Sequence, residues 1–198
     1  MSRVGKQIIT IPAGVTVEFA NGVVTVTGSN ATLTQEIKAP INVIIEAGTV
    51  RVERGNDLSA SRALHGLYNR LINNMVIGVS AGFTKTLIAN GVGYKAALRG
   101  EDLVLNLGMS HPCEIKGVQG ITFKILTPQE IAALNLGKDG IGQVIQVSGA
   151  SKELVGAVAS KIKDLRPVEP YHLYGIRYSD ERITRKESKS GAKGGKKK

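Results

Sequence analysis

Hydrophobic and polar side chains alternate from the start of the chain. Val15-Thr16-Val17-Glu18-Phe19-Ala20 has a period of two, and Val23-Val24-Thr25-Val26-Thr27 resumes it after Asn21-Gly22. Asn-Gly tolerates the positive φ angles of a type I′ turn, so the two runs predict a hairpin. Folding there sets Phe19 opposite Val24 and Val17 opposite Val26 on an apolar face. Glu18 opposite Thr25 and Thr16 opposite Thr27 make the polar face. A second hairpin turning at Ala47-Gly48 sets Ile45 against Val50 and Val43 against Val52. Past Gly55-Asn56-Asp57, which ends the strand and offers a helix N-cap, the period becomes helical. Ala60, Leu64, Leu67, Tyr68, Leu71, Ile72 and Met75 form the expected apolar stripe, and Arg62, His65, Asn69, Arg70 and Asn73 the expected polar face.

The pattern then starts again. Ala20-Asn21-Gly22-Val23 recurs as Ala89-Asn90-Gly91-Val92, between expected strands at 85–89 and 92–98. Gly28-Ser29-Asn30-Ala31-Thr32-Leu33 is matched by Gly100-Glu101-Asp102-Leu103-Val104-Leu105. Val50-Arg51-Val52 leading to Gly55 and a helix is matched by Val144-Ile145-Gln146-Val147, Gly149 and a helix from Ser151, with Leu154, Val158, Ile162 and Leu165 as its stripe. Internal duplication explains the recurrence. The expected fold is α+β: two tandem duplicated domains, each a small, mostly antiparallel sheet with a helix packed on one face, plus a basic C-terminal tail. The expected boundaries are 1–82, 83–166 and 167–198. Residues 128–142 have no counterpart in the first copy; 129–136 reads as a short helix, and Gly137-Lys138-Asp139-Gly140-Ile141-Gly142 as a flexible loop. At Pro167 and Pro170 the regular patterning stops, and the Gly, Ser and Lys run at 188–198 buries too little to fold alone.

Charge adds a partner to this picture. The 198 residues carry 26 Lys and Arg against 16 Asp and Glu, a net charge of +10, of which +7 falls in the last 38 residues. A basic end on a nearly neutral body favours a polyanionic partner over a merely solubilising tail. No run approaches the roughly 18 apolar residues of a membrane span, and no long apolar run follows the N-terminus, so neither membrane insertion nor a secretory signal is expected. The one cysteine, Cys113, excludes an internal disulfide and a Cys-rich zinc site, and a reducing, cytosolic compartment is the default.

Chemistry is sparse outside the C-terminal segment. Gly91-Val92-Gly93-Tyr94-Lys95-Ala96 fits the dinucleotide pattern G-x-G-x-x-G/A, but residues 94–98 read as strand, so no helix N-terminus is there to hold a pyrophosphate. Gly137-Lys138-Asp139-Gly140 has the form of a KH-type GXXG loop, yet a strand follows it, and an ordinary surface loop is the better reading. Adjacent side chains diverge in extended backbone, so Ser110-His111 is not a nucleophile–base pair. His65, His111 and His172 lack metal-ligand spacing. No catalytic residue, cofactor, metal site or small-molecule substrate is expected. The C-terminal segment differs: three of five tyrosines fall within 171–178, interleaved with His172, Gly175 and Arg177 and leading into Arg182, Arg185, Lys186 and Lys189. Rings beside guanidinium groups suit unstacked bases, and lysines suit phosphates. The plainer reading is that Tyr171, Leu173 and Ile176 only anchor the tail. RNA fits better than duplex DNA, because no recognition helix carries the charge.

Ser2-Arg3-Val4-Gly5-Lys6, Ala63-Leu64-His65-Gly66, Gly91-Val92-Gly93-Tyr94, Gly108-Met109-Ser110-His111-Pro112 and Glu169-Pro170-Tyr171 through Gly175-Ile176-Arg177-Tyr178, on a duplicated architecture, closely resemble the bacterial-type large-subunit ribosomal protein six family over nearly the whole chain. The resemblance implies two similar α/β domains and no catalytic activity. It also implies binding to large-subunit rRNA near the sarcin–ricin loop and stalk base, beside neighbouring ribosomal proteins and the docking site of translation GTPases, in the cytoplasm. Between Tyr171 and Gly175 the family carries lysine or histidine, glycine and lysine, where this chain has His172, Leu173 and Tyr174. The expected phosphate-binding residues are Lys163, Arg166, Arg177, Arg185 and Lys186, with Tyr171, His172 and Tyr178 packing on nucleotides. Gly91, Gly93, Ser110 and His111 allow close backbone approach, and Tyr94, Lys95 and Gly175 complete the expected RNA-binding set. Two other classes stay open on sequence alone: an enzyme built on a duplicated unit, and a free-standing regulatory RNA-binding module.

Overall fold

The computed structural model describes residues 3–46, 48–134 and 142–187. The chain divides into two compact units, residues 1–83 with 149–153, and residues 84–148 with 154–198.

In the first unit, β1 (Ile9–Thr10) is followed by β2 (Thr16–Ala20), β3 (Val23–Thr27), β4 (Thr32–Glu36), β5 (Ile41–Glu46), β6 (Thr49–Arg54) and helix α1 (Ser59–Ser80). Both predicted hairpins form in the predicted register, with Phe19↔Val24 and Val17↔Val26 in one and Ile45↔Val50 and Val43↔Val52 in the other. Asn21 at φ 51° and Gly22 at φ 76° give the type I′ turn its two positive angles. The strands build two sheets, β2-β3-β4 and β1-β6-β5. Val17, Val24, Val26, Val43, Val50 and Val52 share one core with Tyr68, Ile72, Met75, Val76 and Val79 of α1.

The helix is rotated from the expected stripe. Leu67 is 51% exposed, whereas His65 at 4% and Asn69 at 1% are buried. Both are buried because both are satisfied, the condition for placing a polar group out of water. Asn69 Nδ2 donates to the carbonyls of Gly5 (3.1 Å) and Gln7 (2.8 Å), fastening the N-terminal segment across the helix. His65 Nε2 lies 2.9 Å from the Val52 carbonyl and Nδ1 lies 3.3 Å from Arg54 Nη1. A carbonyl only accepts and a guanidinium only donates, so Nε2 carries the proton. The expected N-cap also differs: Leu58 occupies it without a side-chain hydrogen bond, because Asp57 is held by Arg54 Nε at 2.8 Å instead.

The second unit is built from β7 (Phe83–Asn90), β8 (Lys95–Arg99), β9 (Asp102–Asn106), β10 (Cys113–Ile115), β11 (Ile121–Ile125), α2 (Pro128–Ala133), β12 (Gln143–Gly149), α3 (Lys152–Asp164) and β13 (Gly175–Tyr178), apart from the end residues Phe83, Gly149, Lys152 and Glu153, which fall in the first. Its sheets run β10-β9-β8 and β11-β12-β7-β13. The duplication is visible in these orders: β8-β9-β10 repeats β2-β3-β4, and β7-β12-β11 repeats β1-β6-β5. The alignment of the copies differs from the expected one. Asn90-Gly91 is no hairpin turn, since β7 and β8 lie in different sheets. The counterpart of Asn21-Gly22 is the turn at Gly100-Glu101, where Arg99 faces Asp102. Similar turn residues serve a hairpin and a link between sheets, and only strand pairing separates the two. In α3 the buried stripe is Val155, Val158, Ala159 and Ile162, while Leu154 is 42% exposed.

The expected short helix forms as α2, closed by a capping box of Thr127 and Glu130. The Lys124 ammonium and Thr127 hold the Glu130 carboxyl down at about 2. Successive strand residues point to opposite faces. Leu87, Ala89, Ile145 and Val147 are buried on one face of the sheet; Ile88 and Val144 project from the other and cluster with Leu126 and Ile131 of α2. The sheet is therefore covered on both faces rather than one, and the start of the extra stretch supplies the second cover. The loop expected at 137–142 falls outside the described residues except for Gly142.

Regular structure does not stop at Pro167. β13 pairs antiparallel with β7, Ile176↔Ala89 and Arg177↔Ile88, and Ile176 is fully buried. Gly175 precedes it at φ 137°, and a Cβ there would stand 2.6 Å from the Pro167 carbonyl oxygen. The segment escapes a pattern search because it is four residues long and pairs with a strand more than eighty positions away.

Asn69→Ala is expected to cost about 1–3 kcal/mol in urea unfolding, the range for a lost buried hydrogen-bonding partner, against at most about 0.5 kcal/mol for the exposed Leu67→Ala. Equal losses would contradict the observed helix rotation. Gly175→Ala combines a disfavoured φ with a backbone clash and should cost at least about 2 kcal/mol in the same assay. A variant as stable as the parent would show that β13 tolerates a side chain there.

Candidate nucleic-acid interface

Two neighbouring constellations occupy the second unit, and Arg166 belongs to the first. The 91–94 turn closes with the Tyr94 amide donating to the Gly91 carbonyl at 3.3 Å. The Tyr94 ring then lies directly on Gly91, where a Cβ would stand 2.5 Å from Cζ, so any larger residue there has to displace the ring. The Arg166 guanidinium sits 5.7 Å from the centre of that ring and donates from Nη1 to the Leu107 carbonyl at 3.1 Å. Its own carbonyl accepts the Ile176 amide at 2.8 Å. Arg166 thereby joins the 91–94 turn, the segment after β9 and β13, a bridge that uses the planar fork of a guanidinium. Gly93, Lys95, Ser110 and His111 are exposed. Gly91 and Arg166, expected to meet RNA, spend their geometry on holding this framework together.

The second constellation follows Arg166. The Leu173 amide donates to the Glu169 carbonyl at 3.0 Å and the Glu169 amide to the Tyr174 carbonyl at 2.9 Å, closing a tight loop. Leu173 sits at φ 62°, the left-handed region that glycine enters at no steric cost, and the resemblance places a glycine at this position. The His172 and Tyr174 rings stack, with centroids 5.8 Å apart and planes at 18°. Arg185 Nε donates to the Tyr171 carbonyl (3.0 Å) and the Lys186 amide to the Pro170 carbonyl (2.9 Å), folding 185–186 back onto 170–171. Arg177, Arg182 and Arg185 converge with His172, Asn90 and Leu173 on a cavity of about 460 Å³ that no acidic side chain lines among the described residues.

Lys163 and Tyr178 are engaged differently from expectation. Lys163 Nζ donates to both Glu181 carboxylate oxygens at 2.8 Å and lies 5.0 Å from the centre of the Tyr178 ring. Lys85 Nζ lies 5.4 Å from the same ring and pairs with Asp180 at 3.7 Å. Tyr178 thus already carries two cations, and Lys163 an acid. The Lys163 hydrogen bond, with a smaller share from the Tyr178 amide, holds the Glu181 carboxyl below its ordinary value of 4.5 despite the desolvation that opposes it.

A larger cavity, about 730 Å³, lies in the first unit beside Lys6, Arg51, Arg54 and His65, but Glu53 and Asp57 match its two arginines. Among the described residues no group of three or more His, Cys, Asp or Glu gathers to hold a metal ion, and no helix is long and apolar enough to cross a membrane. Asn90 and Leu173, which sequence reasoning missed as site residues, reach the cleft only through β7–β13 pairing; Arg182 was legible as part of the basic run.

The profile of the family Ribosomal protein L6 matches residues 11–82 and 90–179. The chain belongs to the ribosomal protein L6 family. Its second matched segment runs through β13. A large ribosomal subunit protein uL6 of Clostridium perfringens is 50% identical over 192 residues, covering 96% of this chain and 99% of the relative. Those of Clostridium acetobutylicum and Staphylococcus epidermidis are each 47% identical, at the same coverage of both chains. This L6-family chain is a ribosomal protein, an RNA-binding component of the translation machinery, and works in the cytoplasm.

Because Glu181 is depressed in the folded state, its contribution to stability is present above the ordinary carboxylate value of 4.5 and drains away as pH falls through the lower folded value. Glu181→Gln should therefore lower stability at pH 7 and flatten the acid limb of the stability–pH curve. Parallel curves for variant and parent would contradict the ion pair with Lys163.

Proposed function

We propose that this chain, a constituent of the large ribosomal subunit, binds large-subunit rRNA through its second unit, close to the sarcin–ricin loop and the stalk base. There it would fix the geometry of an rRNA junction beside the region where translation GTPases dock and other large-subunit proteins assemble. Family membership and the uL6 relatives support the assembly. One structural observation supports the surface: three arginines share a cleft that no acidic side chain lines among the described residues, next to exposed rings. Arg177, Arg182 and Arg185 take phosphates there, and Lys186, next in the chain to Arg185, takes one outside the cleft. Gly93, Lys95, Ser110 and His111 supply a second, exposed contact beside the Tyr94–Arg166 bridge. Residues 83–166 with 167–187 form the RNA-binding body. Residues 1–82, at 7 basic against 5 acidic side chains, serve as an outward spacer. The role is architectural, without catalysis.

Each phosphate contact releases condensed counterions, giving a slope of log K against log salt of roughly −0.7 to −0.9 per contact. Arg182→Gln combined with Arg185→Gln should flatten the rRNA-binding slope of the full chain by roughly 1.4–1.8 units. The parent should sediment stoichiometrically with the large subunit. An unchanged slope would remove the cleft from the interface, and failure to sediment would remove the assembly.

A further inference from the structure

The geometry points to a nucleobase subsite: the stacked His172–Tyr174 pair receives one unpaired base of the bound RNA, whose adjoining phosphate enters the Arg177–Arg182–Arg185 cleft. This deepens the rRNA-binding reading and rests on it. The rings are near-parallel at 18° with centroids 5.8 Å apart and stack on one another, so a base added to the pair extends an existing stack rather than meeting a ring edge. Both stay in solvent: the His172 side chain is 64% exposed and Tyr174 41% exposed. Exposed rings that bury little of themselves in the fold gain by covering a flat partner, and a base offers a π-face of matching size.

The platform is held in place. Leu173, between His172 and Tyr174 in the chain, is held in the left-handed region by the hydrogen bond from its amide to the Glu169 carbonyl, while Asn90 Nδ2 donates to its carbonyl at 3.4 Å. His172 Nδ1 donates to the Glu169 carboxylate at 3.1 Å, which orients the ring and places that acid at the edge of the platform. His172 also lines the arginine cleft, so ring and guanidinium groups stand within one nucleotide's reach. A duplex keeps its bases stacked inside, so the subsite selects a splayed, single-stranded position.

The full chain contains no tryptophan, so Tyr174→Trp introduces a single fluorescent reporter at the platform. Base–ring stacking contributes roughly 1–3 kcal/mol by alanine substitution, so Tyr174→Ala should weaken large-subunit rRNA binding roughly 5- to 160-fold at an unchanged salt slope. Tyr174→Phe, which keeps the flat ring, should stay within about threefold of the parent. The indole emission of the Tyr174→Trp variant should be quenched when rRNA is added. Parent-like binding by Tyr174→Ala, equal losses for Tyr174→Ala and Tyr174→Phe, or unquenched emission in a bound complex would each overturn the subsite. The rRNA-binding reading would survive these results as long as the Arg182 and Arg185 substitutions flatten the slope. A parent chain that binds no rRNA would overturn both.

Discussion

The pairing of β13 with β7 is the constraint on which the candidate interface depends. Four paired positions, Gly175 to Tyr178, convert the chain after Pro167 from a flexible appendage into the edge of a sheet. Ile176 supplies the apolar anchor, and Gly175 the backbone angle that lets the strand enter beneath the Pro167 carbonyl. From this edge the polar consequences follow in order. Asn90, at the far end of β7, comes opposite Gly175 and reaches Leu173; Arg166 receives the Ile176 amide while its guanidinium spans to Tyr94 and Leu107. A basic segment tethered this firmly holds its charges at fixed separations, which a diffuse tail does not.

Charge counting alone treats all cations in the last 38 residues as equivalent, and the structure divides them. Lys163 is neutralised by Glu181, and Arg166 is half-buried in a framework. Arg182, Arg185 and Lys186 are exposed, with Arg185 and Lys186 placed by hydrogen bonds to the Tyr171 and Pro170 carbonyls. Surface ion pairs of the first kind contribute little to stability, on the order of 0–1 kcal/mol, yet they decide which charges remain for a partner. The aromatic residues divide in the same way: Tyr94 and Tyr178 are covered by cations of the protein itself, whereas His172 and Tyr174 stack on each other and stay exposed.

The helices show where periodicity misleads. Seven apolar positions in α1 define a broad stripe, but the face that turns inward includes His65 and Asn69, since the N-terminal segment and β6 offer carbonyls that satisfy them. Leu67 goes outward in exchange. In α3 Val158 and Ile162 are buried as expected, and the same ambiguity affects only the first turn, where Val155 is buried in place of Leu154. Aliphatic residues on both sides of a helix leave its rotation undetermined by hydrophobicity, and polar partners from distant segments then settle it.

Local chemistry determined much of this protein. The two hairpins and their registers follow from Asn21-Gly22, Gly48 and strict alternation, and the duplicated α+β plan, the short helix after Thr127 and the basic, tyrosine-rich end were all readable, because each depends on residues within a few positions of one another. The family resemblance was readable too, from short motifs such as Val4-Gly5-Lys6 and Ala63-Leu64-His65-Gly66, but not the reason those two motifs belong together: Gly5 packs against the His65 ring and is bound by Asn69. Tertiary structure alone decided that contact, the alignment of the two copies, the cover that α2 lays over the second face, and the cleft that Asn90 shares with Arg177, Arg182 and Arg185. Each of these joins segments tens of residues apart, and a hydrogen-bonding group or an apolar face carries no mark in the sequence of which distant partner will satisfy it.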